Sequence, residues 1–299
     1  MRVLVLQILL PCLLLSCSNI DKDKSVDKSN LTGSDYRLFQ NTPAWELAKA
    51  VQDEDEKRIN EIVAKDSNII NYQEAKYGNT LLNLTITNQQ MKPFKVLLTN
   101  KADVSMHNTF DGTSALIEAC SFKQYDNEFA KMLIDFGANV NDVETGERRK
   151  GNSTRFTPLM AASREGNIDL VRFLVSKGAE INYRNEFKQS ALSECVKVNQ
   201  PETALYLLQN GADYKQPIFY RFGNSVPYRP EEDKPMYLVD VLREDLFELD
   251  TDEYKYKMQI VDFLKSKGVD YRAAPIPEYI KKKAQAEYPN NWKEFLEKY

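Results

Sequence analysis

Apolar and polar residues alternate with a helical period along most of the chain, most clearly over residues 156–182. In FTPLMAASREGNIDLVRFLVSKGAEIN, Thr157 and Pro158 supply an N-cap and a first helical residue, and Gly166 ends that helix. A second, more apolar helix follows, and Gly178 stands where a helix often ends in a left-handed residue. A helical hairpin this short cannot bury its own apolar face, so the pattern predicts neighbouring copies.

Copies of this segment are present on both sides of it. Helix openings equivalent to Thr157 recur at Thr80, Ser114 and Ser190, so that successive openings are 34, 43 and 33 residues apart. Closing segments equivalent to 178–182 recur at residues 101–104, 137–141 and 211–213. Two weaker copies, at residues 44–71 and 236–271, keep the apolar spacing but lack most of the signature. Opening and closing signatures recur together, which indicates a true repeat.

These signatures resemble the ankyrin repeat, which has a period of about 33 residues. The resemblance implies an all-α fold, an ankyrin-repeat solenoid of about six helix-turn-helix repeats with enlarged hairpin loops over residues 41–275. A C-terminal helical cap is expected over 276–299, because the end of a stack exposes apolar surface. The chain departs from the family where a histidine usually follows the Pro-Leu pair, and we expect the loss of a hydrogen bond that braces the turn. The residues at that position are Asn83, Ile117, Met160 and Ser193.

Residues 1–16 have the features of a lipoprotein signal peptide. The apolar run over residues 3–15 is shorter than the roughly 20 residues of a transmembrane helix. The sequence LLSC, which ends at Cys17, resembles the bacterial lipobox. The resemblance implies cleavage before Cys17 and attachment of lipid to it, which would hold the chain on a membrane. An ordinary secretory signal is the alternative.

The residues after Cys17 suggest where the protein would be held. Ser18, rather than aspartate, follows the cysteine, and in the lipoprotein sorting rule this favours the outer membrane. We therefore expect a lipid-anchored protein of the cell envelope, on the periplasmic or surface face. Residues 17–40 are polar and of mixed charge, which predicts a flexible tether.

The net charge bears on nucleic-acid binding, and the positions of the cysteines bear on disulfide formation. The chain has 40 Lys and Arg against 44 Asp and Glu, a formal net charge of −4, which argues against binding to nucleic acid. Cys12 would leave with the signal peptide, and Cys120 and Cys195 fall at small, buried positions of separate repeats. That separation is beyond the reach of a disulfide, so we expect two buried free thiols.

The sequence contains no recognisable catalytic constellation. Its single histidine, His107, would have to supply any histidine-based triad or zinc site, and its position predicts a surface loop. A glycine-rich phosphate loop and a Cys-x-x-Cys pair are both missing from the sequence. We expect a non-enzymatic protein with no cofactor, no metal and no small-molecule substrate.

Three insertions interrupt the repeats, and insertions in a solenoid often lie on its binding face. They are a basic loop between residues 142 and 155, an aromatic insert over 214–235 and an acidic expansion over 243–257. The aromatic insert either binds a partner or folds back as a structural lid. Aromatic and arginine side chains are enriched at binding hot spots. The predicted protein contacts are Phe110, Arg148, Arg149, Arg164, Phe187, Phe219, Tyr220, Phe222 and Tyr228.

Together these features predict a membrane-tethered, non-catalytic protein, expected to be a monomer, that acts as an envelope scaffold or adaptor. It would bind another protein through the concave groove of the stack and through the loop inserts. The alternative is an inhibitor or immunity protein that neutralises a toxin or enzyme in the cell envelope. In that reading the acidic expansion would block a basic cleft.

Overall fold

The chain folds as a stack of helical hairpins, an all-α solenoid as the sequence predicts. The computed structural model describes residues 22–146, 155–221 and 233–299. Consecutive helices pair into hairpins, and each of the five pairs from α1/α2 to α9/α10 forms one repeat; α11 and α12 follow them, and α12 packs on α10. The helices are α1 (Trp45–Gln52), α2 (Glu56–Lys65), α3 (Leu81–Thr87), α4 (Met91–Thr99), α5 (Ala115–Cys120), α6 (Asn127–Asp135), α7 (Pro158–Glu165), α8 (Ile168–Ser176), α9 (Ala191–Lys197), α10 (Pro201–Gln209), α11 (Leu238–Leu242), α12 (Asp252–Ser266), α13 (Glu278–Glu287) and α14 (Trp292–Lys298).

The hairpins stack in two layers. First helices pack on first helices, with α5 between α3 and α7, and α7 also against α9. Second helices form the other layer, in which α2 contacts α4 and α10 contacts α8 and α12. One continuous core lies between the layers; within it the rings of Phe94 and Phe129, from neighbouring repeats, meet edge to face at 4.8 Å. Each hairpin is therefore stabilised by its neighbours, as expected for a repeat protein.

Helix caps fix the start of each first helix in the central repeats. The side-chain oxygens of Thr80, Ser114, Thr157 and Ser190 accept the backbone N–H three residues on. At two of these sites the expectation that a bracing hydrogen bond is lost was wrong. Asn83 accepts the backbone N–H of Thr80 at 3.1 Å, and Ser193 accepts that of Ser190 at 2.7 Å. Asparagine and serine thus close a capping box in place of histidine.

Asparagine side chains join successive repeats at their closing turns. The Asn182 Oδ1 accepts the backbone N–H of Asp213 at 2.8 Å, and its Nδ2 donates to the Gly211 carbonyl at 3.0 Å. Asn141 makes the same pair of bonds one repeat earlier, to Glu180 at 2.7 Å and to Gly178 at 3.2 Å. These bonds fix the spacing between neighbouring hairpins at the outer turn.

His107 also lies between repeats rather than on a free surface loop. Its ring is partly buried, and its Nε2 lies 3.1 Å from an Asp142 carboxylate oxygen, across to the next repeat. The residue pairs with Ser114 in an isolated antiparallel bridge. The structure therefore corrects the expected position of His107 and assigns it a bracing contact between hairpins.

From residue 22 onward the structure also corrects the expected flexible tether. The turn Tyr36–Phe39 buries three of its four side chains in the core beside α1. The Lys76 ammonium donates to the carbonyls of Ser29 and Leu31, each at 2.8 Å. The sequence did not predict this because residues 22–35 are polar, and the apolar segment that fixes them, Tyr36–Phe39, is only four residues long. Among the described residues, no helix combines the length and the apolar character needed to cross a membrane.

A β-hairpin interrupts the helical pattern inside the aromatic insert. Strand β1 (Phe219–Arg221) pairs antiparallel with β2 (Lys234–Met236), with Phe219 opposite Met236. Ile218 is buried in the core just before β1. The insert therefore has a structural part, packed on the stack between α10 and α11, which agrees with one of the two alternatives left open by the sequence.

The tail forms two helices, α13 and α14, around a small second core. Ile280, Ala284, Phe295 and Tyr299 are its buried residues. The Tyr299 hydroxyl donates to the Asp245 carbonyl at 2.5 Å, which attaches this tail to the loop after α11. The C-terminal residues thus pack on the last repeat.

The two remaining cysteines within the described residues are buried and free, as the sequence predicts. Cys120 ends α5 and Cys195 lies in α9, two repeats further along the stack. Burial raises the pKa of both thiols well above its usual range. Both thiols are therefore protonated at neutral pH. They should be unreactive in the folded chain, because the thiolate is the reactive form.

Candidate functional site

A large concave surface lies between α9, the β-hairpin and the tail. This aromatic cleft has a volume of about 1080 Å³. Its walls come from the turn before α9, the end of α9, strand β1, the end of α11 and helix α13. The side chains that define it below are Phe187, Tyr220, Glu244, Asp245 and Tyr279.

A buried asparagine shapes the turn that carries the first wall. The Asn185 Oδ1 accepts the backbone N–H groups of Phe187 and Gln189, at 3.0 and 2.9 Å. Lys188 completes the turn with φ of 60°, in the left-handed region. With the backbone held this way, the Phe187 side chain remains 46% exposed at the edge of the cleft.

Strand β1 supplies the second wall. Phe219 is partly buried against the core and also borders the cleft, and Tyr220, the next residue, lines the cleft as well. The Lys188 ammonium lies 5.2 Å from the centre of the Tyr220 ring, close enough for a cation–π contact that links the two walls.

An ion pair holds the hairpin to the end of the stack. The Arg221 Nη2 donates to both carboxylate oxygens of Glu244, at 2.8 and 2.6 Å. Hydrogen bonding to Glu244 is the largest cause of a raised Arg221 pKa. Tyr279, on α13, stands beside this pair and is half exposed at the rim. The cleft therefore depends on contacts between the insert, the last repeat and the tail.

A buried ionisable pair lies at the base of this side. Burial raises the pKa of Asp245 to about 7, and the nearby Lys257 opposes that shift. Burial likewise lowers the pKa of Lys257 to about 7. The Lys257 ammonium donates to the Asp245 carbonyl at 2.9 Å and sits 3.4 Å from the centre of the Tyr299 ring. Asp245 was expected in an exposed acidic surface, and the structure instead places it against the core.

A second buried carboxylate lies under the α9 wall. Glu194 is buried and hydrogen-bonds the Lys197 ammonium one turn further on, and Lys197 itself lines the cleft. The pair satisfies the Glu194 charge within α9, so it is a structural feature of the wall.

The chemical groups available at the cleft are aromatic, apolar and charged side chains. The described residues contain no group of three or more His, Cys, Asp or Glu side chains placed to hold a metal ion. The nearest thiol, Cys195, is buried within α9. What the cleft does offer is aromatic rings, a few paired charges and apolar walls, the composition of a recognition surface.

The structure brings together some of the predicted contact residues and separates others. Phe187, Phe219 and Tyr220 meet at the aromatic cleft. Phe110 and Arg164 lie further along the stack, where Phe110 packs edge to face on Tyr77 and Arg164 stacks over Phe156. The remaining predicted sites lie outside the described residues; they are Cys17, Arg148, Arg149, Phe222 and Tyr228.

Two surface aromatics were missed by the sequence reasoning. Tyr279 reaches the cleft only because the tail folds back beside α11, and no local pattern marks that contact. Phe122 follows α5 and is 41% exposed. Its position just past the end of a first helix could have identified it.

Comparison with known proteins identifies the repeat. The family model described as ankyrin repeats (3 copies) matches residues 142–217. The chain carries ankyrin repeats. A putative ankyrin repeat protein of Acanthamoeba polyphaga mimivirus is 25% identical over 164 residues, which is 55% of this chain and 20% of that protein. A second one from the same virus is 34% identical over 88 residues, 28% of this chain and 52% of that protein.

A human protein is similar over a shorter part of the chain than the first viral relative. Ankyrin repeat and SOCS box protein 11 of Homo sapiens is 28% identical over 113 residues, 38% of this chain and 31% of that protein. The chain therefore spans between a fifth and about half the length of these curated relatives. Ankyrin repeats imply a protein-binding scaffold role.

Proposed function

We propose that this ankyrin-repeat protein binds another protein through the aromatic cleft and acts as a scaffold or adaptor without catalysis. The observation that carries the proposal is the convergence of Phe187, Tyr220 and Tyr279 around one open cleft. These rings come from three separate elements of the fold. Local packing within one element therefore cannot explain why all three lie at the rim of the cleft. Tyrosine and other aromatics are enriched in the desolvated centres of interfaces.

The cleft also has the dimensions for a peptide segment or a protruding loop. Its volume of about 1080 Å³ slightly exceeds that of typical pockets for drug-sized molecules, about 300–1,000 Å³. Its walls are held by the Asn185 turn and the Arg221–Glu244 ion pair before any partner arrives. A preformed surface loses less conformational entropy on binding, which favours affinity.

Affinity capture with a matched control tests this assignment. Phe187→Ala combined with Tyr220→Ala should lose the bound protein, whereas Phe136→Ala should retain it. Phe136 is 45% exposed at the end of α6, so its truncation removes a ring of the same exposure away from the cleft. Thermal unfolding of each variant should stay close to that of the parent. Loss of partner by Phe136→Ala as well, or retention by the cleft variant, would contradict the proposal.

We propose further that lipid at Cys17 tethers the protein to a membrane of the cell envelope, on its periplasmic or surface face. The supporting features are the apolar run before the LLSC sequence and the cysteine itself. Labelling of expressing cells with radioactive palmitate should mark the parent chain and leave Cys17→Ser unmarked. Fractionation should then move Cys17→Ser from the membrane to the soluble fraction.

The second candidate function is inhibition of a toxin or enzyme in the envelope. Glu248, Asp250 and Glu253 stand exposed between α11 and the first turn of α12, and this acidic group could block a basic cleft. The two functions differ in what happens to the captured partner. Titration of the partner's own activity with this protein should abolish it if the protein is an inhibitor, and should leave it unchanged if the protein is a scaffold.

A further inference from the structure

We propose that residues 29–35 form a flap that opens while the stack stays folded and that, when closed, keeps a partner protein from the face of the second hairpin, α3/α4. The flap lies between two fixed points, Lys28 and the buried turn Tyr36–Phe39. It is several hairpins away from the aromatic cleft, which begins at the turn before α9. The inference therefore goes beyond the proposed function of the cleft and does not depend on it.

Both ends of the flap are held by the N-terminal segment itself. The Lys28 ammonium donates to the carbonyls of Leu38 and Gln40, at 2.7 and 2.6 Å. At the other end Tyr36 is buried, and the Asp35 side chain caps the turn that Tyr36 begins. The flap is thus a loop whose two ends are attached to the same turn. Such a loop can leave the stack without unfolding the helices beneath it, because it contributes no residue to them.

The flap is held to the second hairpin through its main-chain carbonyls. Just before α3, the Lys76 ammonium donates to the Ser29 and Leu31 carbonyls, each at 2.8 Å. It also reaches the Lys28 carbonyl at 3.3 Å. The Tyr77 hydroxyl donates to the same Leu31 carbonyl at 3.0 Å. Two neighbouring side chains of the stack therefore hold the first half of the flap.

Two asparagines hold the second half of the flap in the same way. The Asn79 Nδ2 donates to the Gly33 carbonyl at 3.2 Å, and the Asn88 Nδ2, at the end of α3, donates to the Ser34 carbonyl at 2.9 Å. A Cβ placed on Gly33 would lie 3.4 Å from the Asn79 Nδ2, so the flap backbone packs directly on that side chain. These donors bind carbonyls, which every residue possesses. The same donors can therefore hold an extended segment of a partner once the flap has left.

Little apolar surface keeps the flap closed. Within residues 29–35 none is buried, and Leu31 is the one apolar side chain, packed only in part against the core. By contrast, three of the four side chains of Tyr36–Phe39 are buried. Segments with few buried apolar contacts and exposed hydrogen bonds open at a much lower free energy than the whole fold. The flap should therefore open as a local unit.

The closed flap forms one wall of a depression on the second hairpin. Gly33 and Ser34 border this space of about 300 Å³, and the α3 side chains Asn83 and Thr87 line it as well. Opening removes that wall and at the same moment frees the side-chain donors that hold the flap. A partner segment therefore has access to this face in the open state and is excluded from it in the closed state.

Thiol labelling tests the flap directly. Asn79→Cys, in the full chain with Cys12→Ser and Cys17→Ser, places a thiol beneath Gly33. A maleimide that carries a long polyethylene-glycol chain stands in for a bulky partner. Lys65→Cys, at the exposed end of α2, gives the rate of an uncovered thiol. The thiol at position 79 should react at least about tenfold more slowly, because the three remaining donors must first release the flap.

A second substitution should speed the opening. Adding Lys76→Ala removes the donor to the Ser29 and Leu31 carbonyls. The labelling rate at position 79 should then rise at least about fivefold, the factor that corresponds to a loss of about 1 kcal/mol. Lys57→Ala removes the same charge from an exposed position of α2 and should leave the rate unchanged.

Urea separates the opening of the flap from unfolding of the stack. Opening exposes little surface, so the rate at position 79 should change little between 0 and about 1 M urea, whereas unfolding of the first hairpins would make it rise steeply. The buried Cys120 should stay unlabelled throughout. Equal rates at positions 79 and 65 would show that nothing covers the thiol, and labelling that occurs only in urea would show that the flap does not open by itself. Either result, or an equal acceleration by Lys57→Ala, would overturn the inference.

Discussion

The asparagine bonds between repeats allow a quantitative test of how the stack is held together. Asn182→Ala removes an acceptor for the Asp213 N–H and a donor to the Gly211 carbonyl, at 2.8 and 3.0 Å. Asn71 makes one bond of this type among the described residues, accepting the Asp103 N–H at 2.8 Å. The two positions therefore differ in the number of bonds but share their chemistry and their place in the repeat.

The expected loss follows from the net contribution of a hydrogen bond, about 0.5–1.5 kcal/mol. These turns are exposed, so water can replace part of each bond and the lower half of that range applies. Asn182→Ala should lower the free energy of unfolding by about 1–2 kcal/mol, and Asn71→Ala by about half as much. Since a stack is stabilised by nearest-neighbour interfaces, the loss should weaken the junction between the fourth and fifth hairpins.

Urea denaturation followed by far-UV circular dichroism measures both variants. With a slope of about 2 kcal/mol per molar urea, Asn182→Ala should lower the midpoint by about 0.5–1 M. Asn141→Ala, which removes the equivalent two bonds to Glu180 and Gly178, should match it. An unchanged midpoint for Asn182→Ala, or an equal loss for Asn71→Ala, would refute the account of these bonds as inter-repeat links.

Three further predictions concern the core and its ionisable groups. Phe129→Ala should destabilise the fold by about 3–5 kcal/mol in the same urea assay, because the ring is fully buried. Cys120 and Cys195 should not react with a thiol reagent until urea unfolds the chain, and rapid native labelling would contradict their burial. The folded-state pKa of Asp245 is raised to about 7, so its contribution to stability is lost as pH rises from about 4 through 7. Asp245→Asn should therefore raise the melting temperature relative to the parent at pH 8, raise it less at pH 5 and leave it nearly unchanged at pH 4.

The repeat could be predicted from sequence because its determinants are local. An N-cap before an apolar helix and a glycine after the second helix recur at nearly fixed spacing, and the structure places caps at Thr80, Ser114, Thr157 and Ser190. The burial of Cys120 follows from the same register. The role of Asn83 in a capping box was missed, because a short polar side chain can replace the ring nitrogen of histidine only in a geometry that the sequence does not specify.

The N-terminal segment and the cleft could not be predicted, because their positions depend on contacts between residues that are distant in sequence. Residues 22–40 are polar on average, yet the buried turn at Tyr36–Phe39 decides their position. Strands β1 and β2 contain three residues each, too few for a period of two to be recognised. Tyr279 joins the cleft through packing of the tail, which depends on residues far away in sequence.

The aromatic cleft depends on contacts between separate parts of the fold, and this decides how it could be lost. It needs the insert, the last repeat and the tail at once, and it is held by Arg221 on Glu244 and by Tyr299 on the Asp245 carbonyl. A change at the C-terminal end should therefore abolish cleft binding while leaving the central hairpins stacked. Ankyrin stacks allow this separation because each hairpin is stabilised mainly by its neighbours.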